Sequence, residues 1–177
     1  MAPLCRRFFV AAVVATSVLP VVAARSQTEI LDRILAVVDG HVIMQSDVRA
    51  FIELKLVEIP SGPDQESQVL AHIIDRRLIL DQVDRVVAEP APPLVDRRFA
   101  AVRARFASAE DLAAVLERVG LTSDDLRQVL ADDVRRDVYL EDRFASVGED
   151  GREQAQTDWV ADLARRAQVS LAPDASR

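Results

Sequence analysis

Two hydrophobic rhythms run along this chain. Ile34-Leu35-Ala36-Val37-Val38 and Val42-Ile43-Met44 are short apolar runs on either side of Asp39-Gly40. An Asp-Gly pair between such runs predicts a β-hairpin near 33–44, because both central residues of a type I′ turn need positive φ. From there the period changes to that of a helix. Ser46 is a candidate N-cap with Asp47 in the first turn, and Val48, Phe51 and Ile52 share one face of a helix reaching about Val57. Pro60-Ser61-Gly62-Pro63 stops it.

A second helix spans about Asp64 to Val87. Val69, Ile73, Leu80, Val83 and Val87 form its main apolar stripe, with Ile74 and Leu78 on the far side. A helix apolar on two faces is expected at the centre of a fold. Val95, Phe99, Val102 and Phe106 then mark one face of a third helix, about Pro93 to Phe106. Ser108, with Asp111 three residues on, predicts the capped start of a fourth. That helix buries Leu112, Leu116 and Val119 and ends at Gly120. Thr122 caps a fifth helix reaching about Ala145, with Leu126, Val129, Leu130, Val134 and Val138 facing inward. Gly148 to Gly151 is a polar linker before a last helix, about Glu153 to Ala167, with Trp159, Val160 and Leu163 on one side. Val169 to Leu171 is a short terminal strand, and residues 173–177 are a frayed tail. The pattern predicts a mainly α fold: an array of about six helices, with a short N-terminal β-hairpin joined by a C-terminal strand.

The first residues follow a different logic. Arg6 and Arg7 precede an uncharged apolar run, Phe8 to Leu19, then Pro20 and the small residues Val22-Ala23-Ala24. This is the three-part pattern of a secretory signal. It predicts cleavage after Ala24, with Ser26 as the alternative, and delivery to the periplasm. The run is shorter than the roughly 20 residues of a membrane span. Retained, it would tether the chain to the inner membrane. Cys5 precedes the run and would leave with it, so neither a lipid anchor nor a disulfide is expected.

Composition narrows the function classes. Cleavage after Ala24 would leave 153 residues, with 20 basic and 29 acidic ones, a net charge of −9. An acidic chain lacks the basic surface that nucleic acid and anionic membranes require. The two histidines, His41 and His72, form no zinc-ligand spacing, and no calcium loop is present. There is no Gly-x-Ser-x-Gly elbow and no glycine-rich phosphate loop. Neither metal nor cofactor is expected, and no residue is assigned a catalytic role. The pairs Asp124-Asp125, Asp132-Asp133 and Glu141-Asp142 interleave with arginines. They read as a solvated helix face with pairs such as Asp132–Arg136. The aromatic residues Phe51, Phe99, Phe106, Tyr139, Phe144 and Trp159 suit either core packing or a peptide groove.

Three stretches together resemble a known family. They are Ile34-Leu-Ala-Val-Val-Asp-Gly-His-Val-Ile43 with Ser46-Asp47-Val48, then Ile74-Asp-Arg-Arg-Leu-Ile-Leu-Asp-Gln82, and Leu126-Arg-Gln-Val-Leu130 followed by Asp133 to Tyr139. The sequence is similar to the SurA N-terminal domain family of periplasmic chaperones and the related trigger factor/SurA peptide-binding fold. The resemblance covers nearly all of residues 25–172. It implies a helical chaperone domain whose C-terminal helix, 153–167, returns to the core, and a terminal strand paired with the hairpin.

The implied function is ATP-independent binding of unfolded clients or extended peptides, such as outer-membrane proteins in transit. Members commonly carry prolyl isomerase domains after the fifth helix. Residues 146–152 stand there instead, too few for a domain of roughly a hundred residues, so no isomerase residue transfers. No short motif marks the cleft. The apolar stripes therefore nominate Phe51, Ile74, Leu78, Phe99, Val102, Phe106 and Tyr139 as peptide-binding residues, in a cleft between the second, third and fifth helices. A non-catalytic subunit of an envelope assembly complex, or a homodimer through swapped helices, would use the same groove differently.

Overall fold

The structure, a computed structural model, describes residues 32–173. The expected signal sequence, the expected cleavage at Ala24 and residues 174–177 of the expected tail lie outside the described residues.

Asp39 and Gly40 have φ of +46° and +86°, the conformation a type I′ turn demands. They join β1 (Ile34–Val38) to β2 (His41–Met44) as an antiparallel pair with an irregularity between Ile34 and Ala36. β3 (Val169–Leu171) pairs antiparallel with the other side of β1, giving the order β2-β1-β3. Asp39 also secures this closure. Its carboxylate accepts the Gln168 N–H at 2.8 Å, and its own N–H donates to the Gln168 carbonyl at 3.1 Å.

α1 (Gln45–Glu53) follows β2 directly. Ser46, expected as the N-cap, instead sits inside the first turn. Met44 holds the cap position, and the Asp47 carboxylate accepts the Met44 N–H at 2.7 Å. Ser46 is engaged elsewhere: its N–H donates to Asp32 at 3.1 Å and its hydroxyl donates to the same carboxylate. Those donors hold the Asp32 carboxyl below the usual range. α1 also stops before the expected Val57. Lys55 takes φ +54°, and Leu56 N–H returns to the Phe51 carbonyl at 2.9 Å, the bond that closes a Schellman turn. A lysine in this conformation is unusual. It is held by exchange with the α3–α4 turn, where Lys55 Nζ donates to the Arg105 carbonyl at 3.2 Å and Arg105 donates to the Lys55 carbonyl.

α2 (Gln65–Val83) is the central helix. It packs against β1, α1, α5 and α6, which is why its buried residues, among them Val69, Ile73, Leu78, Leu80 and Val83, surround the axis. It ends earlier than expected, because a turn at Val83–Val87 carries the chain away toward α3 (Pro92–Arg103). α4 (Ala109–Val119) begins as expected, with Ser108 Oγ accepting the Asp111 N–H at 3.0 Å. It ends at Gly120, φ +74°, in the same turn as α1. α5 (Ser123–Arg143) opens with a reciprocal cap between Thr122 and Asp125. α6 (Glu149–Arg166) starts at the stretch expected to be a linker. Glu149 and Asp150 suit the positive end of a helix, and Gly148 precedes them as the N-cap. The connection from α5 to α6 is therefore only residues 144–148.

The apolar interior has three parts. One lies beneath the sheet, with Val38, Val48, Phe51, Val69, Leu78 and Leu163. A second joins α1, α3, α4 and α5 through Leu54, Val102, Leu112, Leu116, Leu126 and Leu130. A third, around Ile79, Leu80 and Val83, seats Tyr139, Leu140, Trp159 and Val160. Val138, expected to be buried, is 43% exposed. The N-terminal half of α5 is covered through Leu126 and Leu130, whereas its C-terminal half turns Tyr139 and Leu140 toward the third cluster.

Gly120→Ala tests the α4 turn. Nothing lies within 4 Å of an added Cβ, so the penalty is conformational. A loss of about 1 kcal/mol in urea unfolding is expected.

Candidate functional site

A cleft of about 460 Å³ opens between α2, α5 and α6. Each helix contributes one face, as helical spacing requires. α2 supplies His72, Asp75, Arg76 and Ile79; α5 supplies Arg136, Asp137 and Leu140; α6 supplies Glu153, Gln156, Thr157, Val160 and Ala161. Ile79, Leu140 and Val160 belong to the third apolar cluster, so the cleft exposes the edge of that core.

The wall between α2 and α5 is an ion network. Arg76, with its side chain only 11% exposed, donates from Nε to Asp133 at 2.9 Å and from Nη2 to the Val129 carbonyl at 2.9 Å. Asp133 also pairs with Arg136 at 3.2 Å, and Arg136 with Asp137 at 2.9 Å. Asp137 is bonded in turn by Arg98 of α3. On the other side, Asp132 lies 3.7 Å from Arg76 and 3.5 Å from Arg135. Arg135, 10% exposed, reaches Asp84 at 3.0 Å and the Val87 carbonyl at 3.0 Å. The solvated face expected here, with an Asp132–Arg136 pair, is thus corrected. Asp132 and Asp133 turn toward α2 because Arg76 brings a guanidinium into that interface. A desolvated guanidinium needs carboxylate and carbonyl partners.

His72 sits beside this wall, its ring centroid 6.2 Å from that of Phe51. Burial, with Arg136 and Arg76 nearby, lowers its pKa despite the opposing pull of Asp133. Burial raises the Asp75 carboxyl. The Thr157 hydroxyl donates to the Glu153 carbonyl at 2.9 Å, one turn back in its own helix. The lining therefore offers an aliphatic strip among fixed charges.

The seven residues nominated from the stripes lie elsewhere. Phe51 and Leu78 are buried in the cluster under the sheet, with Ile74 packed against it. Phe99, Val102 and Phe106 come together in the second cluster. Tyr139 packs in the third, its ring 5.9 Å from Trp159. None lines the α2–α5–α6 cleft. α3 packs directly on α5, and the cleft is bounded by α6 rather than α3. An apolar stripe reports that a face is covered, and helix contacts cover it as well as a ligand would. Val160 stood on the expected apolar side of the last helix, whereas Ile79 and Leu140 had no separate signal. The spacing of 153, 156, 157, 160 and 161 along one face of α6 is the nearest sequence trace of the site.

No protein-family model and no curated protein matches this sequence.

Two outcomes follow from this geometry. Asp133→Ala leaves Arg76 and Arg136 short of their shared carboxylate and should lower stability by roughly 2–3 kcal/mol, with Arg76→Met in the same chain recovering part of the loss in a urea double-mutant cycle. His72 governs a pH effect. Its folded pKa lies below the ordinary value near 6.5. As pH falls through that value the unfolded chain binds a proton that the folded chain resists. Stability should therefore decline from neutrality down to the folded pKa and then level off. His72→Gln should flatten that slope in urea titrations across the same window.

Proposed function

We propose that this chain is an ATP-independent holding chaperone of the periplasm, related to the SurA N-terminal domain family. It binds apolar segments of unfolded exported polypeptides, such as outer-membrane proteins in transit, in the α2–α5–α6 cleft. The carrying observation is that cleft: three helix faces around an aliphatic strip in which Leu140 and Val160 are partly exposed and Ile79 lies buried. Polar and charged groups outnumber the aliphatic ones in the lining, so the strip can seat an apolar side chain while the groups around it orient the segment. The secretory pattern of residues 6–24 and the SurA-like stretches support the same reading.

Trp159, the only tryptophan, neighbours the cleft-lining Val160 and packs in the same cluster. The purified chain should suppress aggregation of a denatured outer-membrane protein at about equimolar ratio, and an aliphatic peptide should shift Trp159 fluorescence saturably. Ala161→Gln, at an exposed lip position, should weaken both by about tenfold while leaving thermal unfolding unchanged. Absence of peptide binding and of suppression would reject the proposal.

One observation favours a second reading, a fixed subunit of an envelope complex. β2 and β3 are the sheet edges, and Val42 and Leu171 on them are 48% and 55% exposed. Such an edge can accept a partner strand. A single stoichiometric partner lost on Leu171→Lys would favour this reading.

A further inference from the structure

We infer that the cleft selects cationic amphipathic segments, in which aliphatic side chains are flanked by lysine or arginine. The inference rests on the proposed reading of the cleft as a peptide site and names the chemistry of its ligand.

The charges on the walls are unequally engaged. The arginines are occupied: Arg76 is held by Asp133 and the Val129 carbonyl, and Arg136 by Asp133 and Asp137. Asp137 is likewise shared, between Arg136 and Arg98. His72 adds no positive charge near neutrality, since its surroundings oppose protonation. Two lining carboxylates remain. Asp75 on α2 and Glu153 on α6 have no ion-pair partner among the described residues. They stand on different helices that both border the aliphatic strip.

An occupant lying along Ile79, Leu140 and Val160 therefore meets an unmatched negative charge contributed by α2 and another contributed by α6. Asp75 is partly desolvated, which already disfavours its charged form. A cation placed beside it favours the ionised form, whereas an anion adds repulsion. The chain carries 29 acidic against 22 basic residues, so its long-range field also draws cationic segments in. A second copy of this acidic chain is a poor match for such a cleft, and so is an acidic peptide.

The test compares labelled peptides sharing one short aliphatic core, flanked on both sides by lysines, by serines or by glutamates. Binding to the full chain is measured by anisotropy and by Trp159 fluorescence. At low ionic strength the lysine-flanked peptide should bind about tenfold tighter than the serine-flanked one, and the glutamate-flanked peptide most weakly. The lysine advantage should shrink as salt approaches about 1 M. Asp75→Asn with Glu153→Gln should remove most of the advantage of the lysine-flanked peptide over the serine-flanked one. Glu110→Gln with Glu117→Gln makes the same change in net charge on the surface of α4 and should leave the advantage intact.

Equal loss in both double variants would assign the preference to overall charge and overturn the inference. So would equal binding of all three peptides, or tightest binding of the glutamate-flanked one; in both cases the peptide-binding reading itself would stand. Absence of binding by every peptide would reject that reading and the inference with it.

Discussion

A helix placed at the centre of a small fold must shed water on all sides, and α2 does so while carrying charge. It packs against β1, α1, α5 and α6, yet its sequence includes Asp75, Arg76, Arg77 and Asp81. The arrangement of the neighbours answers that conflict. Arg77 reaches one turn forward along its own helix to Asp81, at 2.9 Å from Nε. Arg76 instead crosses to α5, where Asp133 and the Val129 carbonyl receive it. Hydrophobic contact alone tolerates sliding of one helix past another. A guanidinium with fixed carboxylate and carbonyl partners does not. Such a pair adds little net stability compared with apolar packing, but a shift of register would strand its charges, and that is costly. The relative placement of α2 and α5 follows from it, and both helices wall the cleft.

The network extends this control outward. Arg135 takes the Val87 carbonyl and Asp84, so the turn leaving α2 is fixed onto α5 before α3 begins. Asp137 and Arg98 join α3 to the same array. α6 reaches the fold from the other end. The Arg143 guanidinium lies 4.5 Å from the Trp159 ring centroid, and Phe144 meets the same indole edge-on. At the far end β3 is clamped by Asp39 and paired with β1. The last helix is thus fastened through Trp159 and, beyond its C-terminus, through β3, while Gln156 and Val160 on either side of the tryptophan border the open cleft. Walls fixed in advance reduce the ordering cost of binding any flexible occupant.

Much of the fold was legible because local chemistry sets it. The hairpin at Asp39-Gly40, the caps at Ser108 and Thr122 and the stop at Gly120 each depend on residues within a few positions of one another. The terminal strand was legible by type, the resemblance implied that it pairs with the hairpin, and the structure decided that its neighbour is β1. The misread boundaries share a cause. Ser46 is a good cap by composition, but Asp32, fourteen residues earlier, claims it. Lys55 ends α1 in a conformation suited to glycine, because Arg105 holds it from a distant turn.

The site itself was less legible than the fold. Phe99, Val102 and Phe106 do converge, but they converge on a core, since the face they form is covered by α5. Asp132 and Asp133 look like surface residues in a run of alternating charges and become half-buried partners of Arg76 only when α2 arrives. By itself the sequence determined the elements, their caps and the apolar faces, all governed by interactions within a turn or two of the chain. Only the tertiary structure decided which apolar face stays open and which charges go unpaired. Both depend on which helix covers which, and α2 meets α5 across residues 84–122 and α6 across residues 84–148.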